Sequence, residues 1–399
     1  MIINSNRTKD VQEYYFSKKL KEVSKLINQG EPIINMGIGS PDISPSVKVI
    51  KALKMSLNDP SAHKYQSYYG LSELRSAISN FYKSFFGINL DPSKQVLPLI
   101  GSKEGIMHIS LAFLNPGDKV LIPNPGYPTY LSVTKLVEAK PLLYELNEQN
   151  GWFPNIEDLE KKDLSGVKIM WINYPHMPSG ASAKIEQFEK LVSFTRKNNI
   201  LLVNDNPYSF ILNKSLLSLM SVQRSFDNCL ELNSLSKSFN LAGWRVGMLI
   251  GSENHISSVM KVKSNMDSGM FYGIQKGAIE ALRLEISWFE SINKIYSKRR
   301  KLVWKLARLM KCEFDKDSSG LFVWAKLPKR FKNSKEFVDR ILQEKKLFIA
   351  PGSIFGSNGE GYVRFSLCVS EKNILNAIKR LKSWRLELWV WVWWVDLLL

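Results

Sequence analysis

In the stretch SLSKSFNLAGWRVG, residues 234–247, one lysine, Lys237, stands among Ser234, Ser236 and Ser238, and Arg245 follows a turn through Ala242 and Gly243. A lysine amine adds to carbonyl compounds and becomes a nucleophile or base when its pKa falls. Hydroxyls and an arginine fork are donors that suit a phosphate dianion. A second stretch, Gly101-Ser102-Lys103, follows the apolar run QVLPLIG and opens the helical pattern SKEGIMHISLAFL. The free backbone N–H groups of a helix start, here those of Ser102 and Lys103, bind phosphate. Alone, GSKEG reads equally well as an ordinary serine-capped helix start. Beside the 234–245 stretch it reads as the second half of a phosphate site. The Gly37-Ile38-Gly39 triplet lacks the third glycine of a dinucleotide fingerprint, which excludes a Rossmann cofactor loop.

A phosphate beside a reactive lysine points to pyridoxal 5′-phosphate, whose aldehyde condenses with lysine and whose ring nitrogen seeks a carboxylate. Asp205 ends the apolar run ILLVN, where a buried carboxylate needs a cationic partner. Taken singly, it also fits a turn cap. Tyr208 and Asn173 are candidates for the ring hydroxyl. Tyr127 is a candidate to stack on the ring, its plain alternative being a core aromatic.

The elements that must position these residues follow a repeated grammar. QVLPLIG (95–101), KVLIP (119–123), VKIMWIN (167–173), ILLVND (200–205), CLELN (229–233) and VGMLIG (246–251) are short β-rich runs, most of them followed by helical stretches. That alternation predicts a mostly parallel sheet covered by helices. The chemically rich residues stand just after the runs, and ligands in open α/β sheets sit at the carboxyl ends of strands. Residues 10–29 predict an amphipathic helix ended by Gly30, with Tyr14, Tyr15 and Phe16 packing it onto a domain interface or, alternatively, lining an aromatic or thioether pocket. Residues 46–56 and 71–87 predict helices around the tyrosine-rich loop HKYQSYYG. From about 285 the grammar changes: a long charged helix (285–310), GLFVWAKL, a helix over 333–345, LFIAPGSIFG, YVRFSL and a helix over 370–383 predict a smaller α+β domain. The expected division is 1–45 as an arm and part of the small domain, 46–284 as the large domain, and 285–383 as the small domain.

The 399 residues, 44% hydrophobic and 23% charged, are ample for large cores and unlike a disordered chain. The net charge of +18 is spread along the chain without a helix-turn-helix, zinc-finger or RNA-binding signature. It reads as a lysine-rich solvated surface, and no nucleic-acid partner is expected. Cys229, Cys312 and Cys368 form neither a metal spacing nor an even disulfide set, as befits a reducing cytoplasm. His63, His108, His176 and His255 are too scattered to suggest a metal site. The N-terminus shows no apolar core of a signal peptide. The tail WRLELWVWVWWVDLLL (384–399) holds five of the eleven tryptophans. Its apolar part is shorter than the ~20 residues that span a bilayer, and it reads as an appended end rather than a membrane anchor.

In order along the chain, MGIGSPD, GSKEG, PNPGYPTY, NYPHMPSGA, DNPY, SLSKSFNLAGWRVG and YVRFS resemble the motifs of class I/II aminotransferases, of the pyridoxal-phosphate fold type I superfamily. The resemblance covers about residues 10–383. It departs at the asparagine motif N-x-x-N-P-T-G, where Met177 replaces the usual Asn and Ser179 the usual Thr. It implies a large domain with a mostly parallel seven-stranded sheet, plus a smaller α+β domain built from both ends of the chain. By the same resemblance, Lys237 holds the cofactor as a Schiff base and moves protons, and Asp205 pairs with the ring nitrogen. Asn173 and Tyr208 contact the ring oxygen, and Tyr127 packs on the ring. Ser102, Lys103, Ser234, Ser236 and Arg245 hold the phosphate. Tyr65 reaches the phosphate of a neighbouring subunit, which implies a homodimer, and NMDSGMF (265–271) borders that neighbour's pocket. Arg364, with the Gly39 backbone and Asn173, binds the substrate α-carboxylate. The implied activity moves an amino group from an L-amino acid to a 2-oxo acid in two half-reactions. The same scaffold also serves C–S β-lyases, which release pyruvate and ammonia without an acceptor. A non-catalytic cofactor-binding regulator would need a DNA-binding domain, for which residues 1–30 are too short.

Overall fold

The computed structural model describes residues 2–331 and 333–382; the tail 384–399 lies outside the described residues. The first strand, β1 (Ile34–Asn35), is followed by the seven strands of the main sheet. These are β2 (Val96–Leu99), β3 (Lys119–Asn124), β4 (Lys140–Glu145), β5 (Val167–Ile172), β6 (Leu201–Asp205), β7 (Cys229–Ser234) and β8 (Gly247–Ile250). Their order across the sheet is β2-β8-β7-β6-β5-β3-β4. The pairs β4/β3, β3/β5, β5/β6 and β6/β7 are parallel, and β8 runs antiparallel to both of its neighbours.

Period-two alternation of side chains builds one core on each face of this sheet. Val96, Met170, Ile172 and Leu202 pack against the helices Ser72–Phe86, Ile185–Lys197 and Tyr272–Leu282. Leu97, Leu99, Ile169, Trp171 and Val203 pack on the other side against Ser102–Phe113, Pro128–Leu136 and Glu253–Lys263. Because both faces are covered, β6, β7 and β8 are buried along their whole length. That is why they stand out in the sequence as unbroken apolar runs. The edge strand β4 has only Tyr144 buried, so no such run announces it.

The remaining strands are β9 (Glu313–Phe314), β10 (Phe322–Lys326), β11 (Leu347–Phe348), β12 (Ala350–Pro351) and β13 (Tyr362–Ser366). They form an antiparallel sheet of order β12-β13-β10-β9 and a parallel pair β1-β11. Their core draws on both ends of the chain. Phe16 and Val23 of the helix Tyr15–Asn28 join Tyr296 and Val303 of the helix Ile286–Leu309, and Phe337, Phe365 and Ile378. The first helix starts at Tyr15 rather than at residue 10, since its buried stripe begins only at Phe16. No helix among the described residues is long and apolar enough to cross a membrane.

Candidate active site

The carboxyl ends of β5, β6 and β7 open into one cavity of about 580 Å³, walled on the far side by the N-terminal segment and by β10 and β13. Lys237, Asp205, Asn173, Tyr208, Tyr127, Ser102, Lys103, Ser234, Ser236, Arg245, Gly39 and Arg364 all line it. Loops far apart in sequence converge because parallel strands deliver their ends to one edge of the sheet.

Lys237 sits in the one-turn helix Leu235–Ser238. Ser234, at the end of β7, caps that turn by accepting a 3.1 Å bond from Ser236 N. The Lys237 Nζ donates a 2.7 Å bond to the Gly39 carbonyl. Burial lowers the Lys237 pKa, and the Arg364 and Arg245 cations push the same way. A lysine so placed holds a neutral amine more readily than a surface lysine does.

Asp205 ends β6 and is 6% exposed. One carboxylate oxygen accepts the Tyr130 hydroxyl at 3.0 Å, and the other, Oδ1, has no partner. Burial raises its pKa to about 6, against the opposing pull of the Tyr130 hydrogen bond and of Lys237. An orphaned, buried carboxylate oxygen asks for a donor or cation that the chain itself does not provide.

Asn173 follows β5, and both ends of its amide are engaged. Its Nδ2 donates to the Asp205 carbonyl, and its Oδ1 accepts Met177 N at 2.9 Å. Tyr208 is buried edge-to-face against Phe322 at 5.9 Å, and burial raises its pKa. Tyr127 meets Tyr14 and Tyr130 edge-on, at 6.5 and 5.6 Å.

The phosphate donors gather at one corner. Gly101 caps the helix Ser102–Phe113 with φ 85°, and a Cβ there would strike the Arg245 guanidinium. Glycine is what lets that guanidinium lie against the helix start. The Arg245 Nη1 reaches Ser236 Oγ at 3.4 Å and the Ala242 carbonyl at 2.9 Å. Lys103 Nζ lies 4.7 Å from the Tyr14 ring centroid, with its pKa lowered by burial and by Arg245.

Arg364, on β13, is 4% exposed. Its guanidinium lies 3.9 Å from the Phe322 ring centroid, 4.7 Å from that of Phe355 and 5.3 Å from that of Phe16. It donates to the Gly37 carbonyl at 2.8 Å and to Met177 Sδ at 3.2 Å, and its Nε has no partner. Among the described residues no carboxylate pairs with it. Burial lowers its pKa to about 10. A buried cation without a counter-charge is a receptor for an anionic ligand.

Tyr65 stands apart. It is 92% exposed and does not line the cavity of its own chain. Its loop touches the 265–271 loop, where Gly269, at φ 89°, packs on the Gln66 carbonyl. Tyr14 and Phe16, read from sequence as interface packing in preference to pocket lining, do line the cavity. The sequence reading missed Met177, Tyr130 and Phe322 as site residues, for their partners lie 187, 75 and 42 positions away. Nor did it foresee that His108 meets Glu104 and Asp267, with ligand atoms within 4.8 Å of one another. There the buried Lys263 ammonium already neutralises Asp267.

An unpartnered buried carboxylate oxygen, a lysine of lowered pKa and a glycine-capped helix start beside an arginine fit pyridoxal phosphate at its ring nitrogen, aldehyde and phosphate. Fold and site thus define a pyridoxal-phosphate enzyme of the two-part α/β type, acting on a carboxylate-bearing amine. The chain belongs to the aminotransferase class I and II family, whose pattern matches residues 31–381. It is 36% identical over 384 residues to the LL-diaminopimelate aminotransferase of Aquifex aeolicus, covering 96% of this chain and 99% of that one. It is 37% identical over 382 residues to that of Halothermothrix orenii, covering 95% and 98%. Among solved structures, substrate-bound BacF from Bacillus subtilis is similar with a TM-score of 0.93 at 31% identity, over 96% of this chain and 98% of that one. This chain is therefore a pyridoxal-phosphate-dependent aminotransferase that uses an amino acid and a 2-oxo acid.

Proposed function

We propose that the amino donor is LL-diaminopimelate and that Lys237 is the catalytic base. The observation that carries the site reading is the pair of unmatched charges facing Lys237, the Asp205 Oδ1 on one side and Arg364 on the other. Bound pyridoxal phosphate supplies an aldehyde that links to amines and a ring that accepts electrons from the substrate α-carbon. Asp205 would hold its ring nitrogen and Tyr208 its ring hydroxyl. Tyr127 would border the ring, while Ser102, the Lys103 backbone, Ser234, Ser236 and Arg245 would hold its phosphate. Asn173 would contact the ring oxygen through its second Nδ2 hydrogen, the first being donated to the Asp205 carbonyl while its Oδ1 accepts Met177 N.

Arg364 binds the α-carboxylate and fixes the direction of the Cα–H bond toward Lys237. Lys237 Nζ, its pKa lowered by burial, takes the α-proton, and the carbon skeleton leaves as a 2-oxo acid while the amino group would be kept on the cofactor. A 2-oxo acid then enters through the same Arg364 contact and the proton moves back, a ping-pong sequence. For the donor, the two relatives' names and the unpaired Lys103 ammonium over Tyr14 support a substrate with a second carboxylate.

The chain works as a homodimer in this reading. Val47, Met55, Tyr65, Met266 and Phe271 are exposed apolar side chains around the loops that flank the site. Tyr65 then serves the partner's phosphate site, and light scattering that found only monomer under assay conditions would remove that role. The large domain is taken as 46–284 and the small one as 285–383 with 1–45. Buried, unpaired Cys229, Cys312 and Cys368 suit the cytoplasm.

The test is turnover of the pyridoxal-phosphate-loaded protein with LL-diaminopimelate and a 2-oxo acid, against aspartate and phenylalanine as rival donors. LL-diaminopimelate is expected to lead in kcat/KM by about tenfold or more. Equal turnover of a rival would overturn the donor. Pyruvate and ammonia appearing from a β-thio amino acid without an acceptor would make the enzyme a C–S lyase.

A further inference from the structure

The loop 173–180 reads NYPHMPSG and carries a methionine where the motif it resembles has an amide. The loop is held firmly from behind. Asn173 accepts Met177 N, Gly180 N donates to the His176 carbonyl at 2.7 Å, and His176 N donates to the Ala181 carbonyl at 2.7 Å. Its one buried side chain directed at Arg364 is Met177, whose Sδ lies 3.2 Å from Arg364 Nη1. Met177 and Arg364 line the same cavity.

A thioether accepts hydrogen bonds weakly and donates none. Met177 therefore adds nothing to a carboxylate on Arg364, while it fills the space in which a donor would stand. The neighbouring Asn173 already spends one of its two Nδ2 hydrogens on the Asp205 carbonyl. A side-chain amide at 177 would stand as close to Arg364 as the sulfur does, within reach of the same carboxylate. We propose that Met177 sets affinity at the carboxylate site, weakening α-carboxylate binding by withholding this donor and leaving selectivity to side-chain contacts elsewhere in the cavity. The inference rests on Arg364 as the carboxylate receptor.

The experiment measures calorimetric Kd for 3-phenylpropionate, a carboxylate without an amino group, on the pyridoxal-phosphate-loaded protein. Met177→Asn is expected to tighten binding about tenfold, the size of one hydrogen bond to a charged group. Met177→Leu, of similar volume, is expected to change it by less than about threefold. KM for LL-diaminopimelate should fall in Met177→Asn with kcat changed far less. A folded Met177→Asn that binds no tighter than wild type overturns the proposal. So does a Met177→Leu that binds about tenfold weaker, since the sulfur would then be a partner; this arm holds even if Met177→Asn does not fold. Arg364→Ala separates the two readings. If it leaves Kd unchanged, the receptor assignment fails; if it weakens binding while Met177→Asn does not tighten it, only the role of Met177 fails.

Discussion

Lys237 and Gly39 are joined by a 2.7 Å hydrogen bond from the lysine ammonium to the glycine carbonyl, across 198 positions of sequence. The contact links the one-turn helix after β7 to the N-terminal segment that packs with the small sheet. Gly39 has to be glycine, because a Cβ there would run into the Phe322 ring. The amine is thus held in the cavity by a partner that carries no charge, and burial lowers its pKa against the opposing pull of Cys368 and Asp205.

Lys237→Ala removes one of the two lysines, Lys103 being the other, that line this cavity among the described residues. Transamination is expected to fall by about 10³-fold or more, as for loss of a general base. The visible absorbance of lysine-bound pyridoxal should vanish with it. Steady-state assays and an absorbance scan of the reconstituted variant check both.

Asp205 makes the cofactor-free protein sensitive to pH. Its carboxyl is raised from 3.8 to about 6 by burial. The protonated folded form is favoured, so this contribution is full below 3.8 and is lost as pH rises through about 6. Its size is about 3 kcal/mol at most. Urea unfolding of the cofactor-free protein at pH 4 and pH 7 should show this loss in wild type and not in Asp205→Asn. Asp205→Asn should also lose most of its activity when loaded.

His176 has the opposite sign. Its ring is buried, with Nε2 3.2 Å from the Pro125 carbonyl and Nδ1 2.7 Å from Ser179 Oγ. A carbonyl only accepts, which assigns the proton to Nε2 and makes Ser179 the donor to Nδ1. The pKa falls from 6.5 to about 4 through burial. Stability from the neutral ring is present above 6.5 and lost as pH falls toward 4. His176→Phe strands the Pro125 carbonyl, in the loop that leads to Tyr127, and should cost about 2 kcal/mol at neutral pH. Its unfolding free energy should show a shallower decline between pH 6.5 and pH 4 than that of wild type.

Arg364→Ala leaves the α-carboxylate without its cation. KM for chemically different amino acids should rise together by about 10²-fold, since truncating one partner of a buried charge pair costs 2–5 kcal/mol. A rise confined to one amino acid would place Arg364 at the side chain instead.

Much of this was legible in the sequence, for physical reasons. Strands β6 to β8 are buried along their length and β5 nearly so, and show as apolar runs, with Asn173 just after β5, Asp205 at the end of β6 and Lys237 just after β7. The edge strand β4 did not show, because one buried residue makes no pattern. The phosphate corner was readable from glycine and hydroxyl chemistry at a helix start. Nothing in the sequence reveals that the Asn173 amide also donates to the Asp205 carbonyl and accepts Met177 N. The Tyr130 hydroxyl on Asp205 and the Met177 sulfur on Arg364 are contacts across the fold, invisible to any local spacing.

The most direct test of the central claim is borohydride reduction of the pyridoxal-phosphate-loaded protein, followed by proteolysis and mass mapping. The phosphopyridoxyl mass should fall on the peptide that contains Lys237, and addition of LL-diaminopimelate before reduction should abolish the tag. A tag on Lys103 or another lysine, or one on Lys237 that the amino acid does not displace, would contradict the assignment of Lys237 as the reacting amine.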